Sequence, residues 1–186
     1  MPTMRRAFIA FLALSVLAGV WSVATPVFAT PPSKAELSQM LAGFEQAPGA
    51  EDFRAWGPET FPILVELYGD HDVQPFVRMR AVAAVAHYPS PRARAFLLHV
   101  ARAEGQSDLL IREAVRGLGR AFGPRSIEDI RPFLRHRAPA VREGAVLALT
   151  AFHTPAAQGA LRARLPQEQS AHIAARIRAS LSADPR

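Results

Sequence analysis

Apolar residues recur every four positions in three segments of the chain, and each segment opens on a branched residue. The leading residues are Val77, Leu110 and Val141, which stand 33 and 31 positions apart. An alanine follows each leader after four positions and another apolar residue after eight: Ala81, Ala114 and Ala145, then Val85, Leu118 and Leu149. A spacing of four puts these side chains on one face of an α-helix, where alanine lets a neighbouring helix approach closely. We therefore predict three similar helices whose apolar faces, including Leu118 and Leu149, are buried.

A second helix is expected after each of these helices, beyond a turn marked by proline. The prolines stand 14 positions after the leading residues, at Pro91, Pro124 and Pro155. Because proline cannot continue a helix interior, the chain is expected to turn there. The apolar spacing of four then returns, six and ten positions past each proline: Leu97 and Ala101, Ile130 and Leu134, Leu161 and Leu165. The unit is a helix–turn–helix, and such units bury their apolar faces by stacking on one another.

The spacing weakens towards the N-terminus. The segment "TFPILVELYGD" predicts a second-type helix with Thr60 as its N-cap. A proline and a glycine at positions 48–49 interrupt the helix that would precede it. Ser33 and Glu36 have the spacing of a capping box and predict a separate opening helix from Ser33 to Phe44.

The C-terminal half carries two further local signals and one more copy of the spacing. Ser126 and Asp129 have capping-box spacing and predict the start of the second helix in the middle unit. Pro132 falls inside that helix and is expected to kink it. The apolar step of four appears once more after the third unit, at Ile173, Ile177 and Leu181.

These observations predict an all-α chain that forms a short right-handed α-solenoid. Residues 60–186 would form the repeats, and residues 30–59 a degenerate capping segment. The motif of a branched residue with arginine, then alanine, then a leucine-like residue resembles bacterial HEAT-like repeats of the type named after bilin lyases. Two copies carry it in full: Val77-Arg78, Ala81 and Val85; Val141-Arg142, Ala145 and Leu149.

The resemblance covers about residues 60–181 and implies a curved solenoid whose second helices line an inner surface that binds another macromolecule. The middle copy departs from the motif, because its arginine, Arg112, comes one position late. The lyase activity in the family's name is not carried over, since no residue here marks a bilin site.

Composition narrows the function classes. Half of the residues are apolar, and cysteine is absent, which excludes disulfides, thiolate metal ligands and a cysteine nucleophile. Charge is uneven: residues 30–76 hold two basic and eight acidic residues, whereas residues 77–186 hold 18 basic and eight acidic ones. Such asymmetry can steer an anionic partner to the C-terminal half, and it can equally be a solvated surface.

The first 29 residues have the three-part pattern of a secretory signal peptide. Two arginines precede an apolar run from Ala7 to Val20, and small residues then lead to a predicted cleavage site after Ala29. The mature chain would begin at Thr30 and work in the periplasm or outside the cell. The alternative is an uncleaved anchor in the inner membrane, since the apolar stretch is long enough to span a bilayer. The adjacent arginines also partly resemble a twin-arginine export motif, although an ordinary signal peptide fits better.

No constellation of catalytic or cofactor-binding residues stands out. Asp70, His71 and Asp72 are neighbours that could contact a metal, but a polar loop between repeats is the favoured interpretation. Glu128 and Asp129 are adjacent on a helix and so diverge instead of sharing a site. We predict no enzyme activity, no cofactor and no metal.

Arginines recur at similar phase on the second helices and are the predicted partner-binding residues. The candidates are Arg94, Arg102, Arg131, Arg135 and Arg162. Stacked units would align them into a basic strip suited to an acidic protein surface or an anionic polymer. The alternative is that they only keep the surface soluble.

The leading functional hypothesis is a non-catalytic interaction module that binds a protein or an anionic polymer. A self-associating structural solenoid and a small enzyme or chaperone-like helper are the alternatives. Nucleic acid is a weaker possibility, because aromatic residues are not interleaved with the arginines and export would remove the usual substrate. Membrane contact is expected only if the signal segment stays uncleaved.

Overall fold

The chain folds into successive helices, and most begin at a residue that suits a helix N-terminus. The computed structural model describes residues 28–43 and 47–183, and in these ranges every regular element is helical. The α-helices are α1 Lys34–Ala42, α2 Ala50–Trp56, α3 Thr60–Gly69, α4 Pro75–Ala84, α5 Pro91–Arg102, α6 Asp108–Phe122, α7 Ile127–Ile130, α8 Pro139–Thr150, α9 Pro155–Arg164 and α10 Ala171–Ser182. Short 3₁₀ segments cover Val85–His87, Gly123–Ser126, Arg131–Arg135 and Leu165–Gln167.

The helices stack as the repeat predicts. First helices α4, α6, α8 and α10 pack in succession, each on the next. Second helices follow them: α5, then α7 with residues 131–135, then α9. Helix α3 precedes α4 and takes the place of a second helix at the N-terminal end. This arrangement is an α-solenoid, so the predicted fold class is confirmed.

The repeated prolines lie where the chain turns, as predicted, and two of them also begin second helices. Pro91 and Pro155 occupy the first position of α5 and α9. A hydroxyl precedes each: the backbone N–H of Ala93 donates to Ser90 over 3.1 Å, and that of Ala157 donates to Thr154 over 3.3 Å. Proline is tolerated at this position because its missing N–H would have had no helical acceptor.

The core is built from the residues that recur in phase. The first-helix positions are all buried: Val77, Ala81, Val85, Leu110, Ala114, Leu118, Val141, Ala145 and Leu149. Leu118 and Leu149 are 0% and 1% exposed, which confirms the prediction made for them. Leu97, Ile130 and Leu161 are buried on the second helices. Leu165 is only half-buried, because α9 ends at Arg164 and a 3₁₀ segment begins there.

Close approach of α6 and α8 depends on two glycines. A Cβ on Gly119 would lie 2.8 Å from the Cβ of Ala148, and a Cβ on Gly144 would lie 2.7 Å from Cγ of Arg112. Both distances are below van der Waals contact. The missing side chains therefore let the two helices meet at the centre of the stack.

The predicted capping box of the opening helix is confirmed. The Ser33 hydroxyl accepts from the N–H of Glu36, and the Glu36 carboxylate accepts from the N–H of Ser33 over 2.8 Å. The helix ends at Ala42, and Phe44 lies outside the described residues.

Two other capping predictions are wrong. Thr60 is not an N-cap, because the N–H groups of Thr60 and Phe61 already bond to the carbonyls of Gly57 and Pro58. Helix α3 therefore begins one residue earlier than predicted, at Thr60, which is buried in its first turn. Ser126 does stand directly before α7, where the helix was predicted to start, but it makes no capping bond because its hydroxyl donates to the carbonyl of Gly123 over 2.6 Å.

Pro132 interrupts the second helix of the middle unit, as predicted. The α-helical part ends at Ile130, and residues 131–135 continue as a 3₁₀ segment. Proline lacks the N–H that an α-helix needs at that point, so the tighter helix takes over.

The proposed signal peptide falls almost wholly on residues 1–27, which lie outside the described part of the chain. Among the described residues, none of the helices has the length and apolar character needed to cross a membrane.

Candidate interaction surface

The second helices form one side of the stack, and grooves lie between them. The first groove, of about 530 Å³, runs between the N-terminal ends of α3 and α5. The second, of about 470 Å³, lies between α5 and residues 122–125. The third is the largest, about 760 Å³, and separates residues 131–135 from α9 and its extension to Gln167. We call these grooves first, second and third, and the whole side the second-helix surface.

Two of the five predicted binding arginines meet on the third groove. Arg131 and Arg135 both line it, and both are exposed. Arg131 pairs with Glu128 over 2.7 Å, but that pair is open to solvent and therefore contributes little stability.

The other three predicted arginines lie apart from that groove. Arg94 lines the second groove and pairs with Asp129 over 2.6 Å. Arg102 is exposed near the C-terminal end of α5. Arg162 is exposed on α9, where it donates to the Gln158 side chain over 3.1 Å. The five residues are thus spread along the second-helix surface, and only Arg131 and Arg135 share a groove.

Arg164 also lines the third groove, although the predicted strip left it out. It stands nine positions past Pro155, and its guanidinium donates to Glu168 over 2.9 and 3.1 Å. The four-residue spacing between Arg164 and Glu168 is a sequence signal that could have marked this pair.

Most carboxylates of the basic half are already held by arginines of the same half. The pairs join Arg112 and Arg116 to Glu113, Arg94 to Asp129, Arg131 to Glu128, Arg142 and Arg164 to Glu168, and Arg176 to Glu143. In the described ranges, Arg92, Arg102, Arg125, Arg135, Arg137 and Arg178 make no ion pair. Internal pairing therefore leaves the second-helix surface with uncompensated positive charge.

Glu168 is the most strongly held of these carboxylates. Its side chain is fully buried and accepts from Arg142 at 2.8 and 2.9 Å. The same carboxylate accepts from the N–H of Ser170 over 2.9 Å. Hydrogen bonds from Arg142, Ser170 and Arg164 lower the pKa of Glu168 to about 2, against the opposing effect of burial. Because Arg142 also donates to the carbonyls of His136 and Arg137, this group ties α8 to the loops before it and after α9.

The Asp70–His71–Asp72 cluster is engaged in local structure. Asp70 pairs with Lys34 over 2.5 Å and accepts from the N–H of Asp72 over 2.9 Å. The Lys34 ammonium lowers the pKa of the Asp70 carboxyl. Within residues 28–43 and 47–183, no group of three metal-ligating side chains is close enough to hold an ion.

Comparison with protein families finds a match on the C-terminal half. Residues 101–182 match the model of a family described as HEAT repeats. These residues run from the end of α5 to the last turn of α10, and they contain the third groove. The curated proteins contain no significant match to the chain.

Proposed function

Because residues 101–182 match HEAT repeats and the described chain folds as an α-solenoid, we propose that the protein is a non-catalytic interaction module that binds an acidic protein partner. HEAT repeats are generally non-catalytic and commonly serve as protein-interaction scaffolds. The specific proposal is that the second-helix surface binds the partner and that its arginines provide the attraction. The single observation that carries it is the positive charge left on that surface after internal pairing.

The distribution of charge supports an acidic partner. Of the carboxylates near the second-helix surface, Glu128 and Asp129 each bind an arginine of that surface, whereas Glu59 lines the first groove together with Arg92. Arg92 and Arg135 remain exposed beside the first and third grooves, whose lining is mainly apolar, and Arg102 remains exposed at the end of α5. A surface of this kind speeds encounter with an acidic partner and disfavours a basic one.

Self-association is a second candidate, favoured by the charge asymmetry. The N-terminal end exposes Glu51, Asp52, Glu59 and Glu66, and the C-terminal half is basic. A head-to-tail contact would place the acidic end of one copy against the basic surface of another. Head-to-tail contacts of this type give a ring where the rotation between copies closes and an open chain of molecules where it does not.

Export is part of the proposal and rests on sequence alone. The basic, apolar and small-residue zones of residues 1–29 favour cleavage after Ala29 and a periplasmic or secreted protein. The division into a capping segment of residues 30–59 and repeats of residues 60–186 likewise remains a prediction.

Charge reversal on the second-helix surface tests the proposal. The triple variant Arg131→Glu, Arg135→Glu and Arg162→Glu and the wild-type protein are immobilised and used to capture partners from extracts of the producing cells. Wild-type protein should retain an acidic protein at low salt and less of it at moderate salt, because screening shortens the range of the attraction. The triple variant should lose it while its helical circular dichroism is unchanged.

A control variant tests whether capture depends on the position of the reversed charges or only on the net charge of the protein. Arg54→Glu, Arg137→Glu and Arg178→Glu change the net charge equally, at exposed arginines off the second helices. Capture should survive in this control. Equal loss in both variants would point to general charge attraction, and undiminished capture by the first variant would place the contact elsewhere.

A further inference from the structure

The first and second grooves show how this chain fills the seam between neighbouring second helices. Five positions past each proline stand Phe96 on α5 and Asp129 on α7. Phe96 packs edge-on against Phe61 and Tyr68 of α3, with ring centres 6.3 and 5.3 Å apart. Asp129 crosses the next seam to pair with Arg94. In each of these two seams, the fifth residue past the proline contacts the preceding second helix.

The third seam has no such filler. The fifth residue past Pro155 is Ala160. The place that Tyr68 has in α3 is taken in the middle unit by Leu134, ten positions past Pro124. Both line the third groove. Ala156, Gly159 and Ala163 lie on the same side of α9, because helix residues three and four apart share a face. A side chain of the kind that Phe96 supplies is therefore missing, and the groove at this seam is larger, about 760 Å³ against about 530 and 470 Å³ at the first two.

The groove is apolar inside and positive at its edge. Leu134 and the alanines of α9 supply the apolar lining, and Arg131, Arg135 and Arg164 surround it. Its volume falls within the range of about 300–1,000 Å³ that is usual for binding pockets. An occupant that suits it combines an apolar side chain with carboxylates beside it.

We propose that the third groove binds an acidic peptide segment of the partner, with one apolar side chain inserted against Leu134 and Ala160. The inserted side chain takes the place that Phe96 has in the first seam. Carboxylates on either side of it meet Arg131 and Arg135, as Asp129 meets Arg94 in the second seam. This inference rests on the proposed function and names the place and the chemistry of its contact.

The test is a substitution that fills the third groove with a larger side chain of the protein itself. Ala160→Phe introduces the side chain that the first seam has at this position and should close the groove. Ala175→Phe, at an exposed position on α10, is the matched control. If Ala160→Phe does not fold, Gly159→Leu serves the same purpose, since a Cβ at Gly159 meets no atom within 4 Å.

The probe is a displayed library of random decapeptides, followed by one synthetic consensus peptide measured by fluorescence polarisation. Selected peptides should carry an apolar residue flanked by aspartate or glutamate. The consensus should bind wild-type and Ala175→Phe proteins alike and bind Ala160→Phe at least tenfold more weakly. Replacing its apolar residue by serine should weaken binding to a similar extent.

Three results would overturn the groove assignment. One is a selection that enriches no acidic–apolar peptide. Another is binding of polyglutamate or heparin as tight as that of the consensus peptide and unchanged by Ala160→Phe. That result would mean that the surface only attracts anionic polymers through its charge. The third is concentration-dependent sedimentation of the protein alone that Ala160→Phe abolishes, which would make a second copy the occupant.

The two proposals fail in different ways. Partner capture that is lost in the arginine triple variant but unaffected by Ala160→Phe would leave the second-helix surface as the binding surface and remove the groove from it. Capture unaffected by either variant would place the contact off the second-helix surface and overturn both proposals.

Discussion

Removing the Glu168 carboxylate should destabilise the protein far more than removing an exposed one. Glu168 is enclosed by Arg142 and Arg164, whose side chains are 9% and 11% exposed. Its pKa falls from 4.5 to about 2 in the folded protein. At about 1.4 kcal/mol for each pKa unit, this corresponds to about 3 kcal/mol of stability at neutral pH. Glu168→Gln keeps the shape of the side chain and removes that contribution, leaving two guanidinium groups under-compensated.

Urea unfolding at neutral pH measures the effect, with Glu128→Gln as the control. The Glu128 side chain is 73% exposed, so its pair with Arg131 should contribute at most about 1 kcal/mol. We expect a loss of about 3 kcal/mol for Glu168→Gln against a small change for the control. Equal losses in the two variants would refute the assignment of Glu168 as the tie between α8 and the loops around it.

The pH dependence provides an independent check of the same reasoning. A carboxyl whose folded pKa is depressed stabilises the protein fully above its unfolded value and loses this effect as pH falls through the folded one. The stability difference between wild-type protein and Glu168→Gln should therefore be constant above about pH 5 and fall to less than half by about pH 3. A difference that does not change over this window would contradict the depressed pKa of Glu168.

Three further predictions concern the core, the helix contacts and the mature chain. Leu118→Ala and Leu149→Ala should each cost about 2–5 kcal/mol in urea unfolding, whereas Leu109→Ala, at a residue 51% exposed, should change stability by about 0.5 kcal/mol or less. Gly119→Ala should lower stability by about 1–3 kcal/mol, because the added Cβ would meet Ala148. Gly159→Ala should raise stability by about 0.5–1 kcal/mol, because the space around a Cβ at Gly159 is open. Thermal melts compare the two variants directly, and shifts of the same sign would contradict this packing. Mass spectrometry of the exported protein should find Thr30 as its first residue, and a mature mass that still includes residues 1–29 in the membrane fraction would mean an anchored protein instead.

The repeat period was the part of the fold that sequence could predict. Val77, Leu110 and Val141 lie in phase because each first helix must bury the same face on its neighbours. Their spacing in the sequence therefore indicates how the helices pack. The repeated prolines are equally informative, since proline is best tolerated at a helix start or a turn. The capping predictions at Thr60 and Ser126 failed because nearby backbone groups compete for the same hydrogen bonds, and spacing alone does not show which acceptor is used.

The third groove could not be predicted from the repeat phase alone, because it becomes evident only when corresponding positions of successive units are compared. Arg131 and Arg162 share a phase, seven positions past their prolines, yet only Arg131 lines the groove. Each second helix turns one flank to the preceding unit and the other to the next, so equal phase places residues at successive seams. The residue that decides whether a seam is filled is the fifth past the proline, where Phe96 and Asp129 give way to Ala160.

Hydrogen exchange of the protein with and without its captured partner shows directly where the partner binds. Binding should slow exchange in residues 127–135 and 155–167, on the two sides of the third groove. First helices α4 and α10 should show no comparable change. Protection confined to α1, α2 and α3, at the acidic end, would contradict the claim that the basic second-helix surface binds the partner.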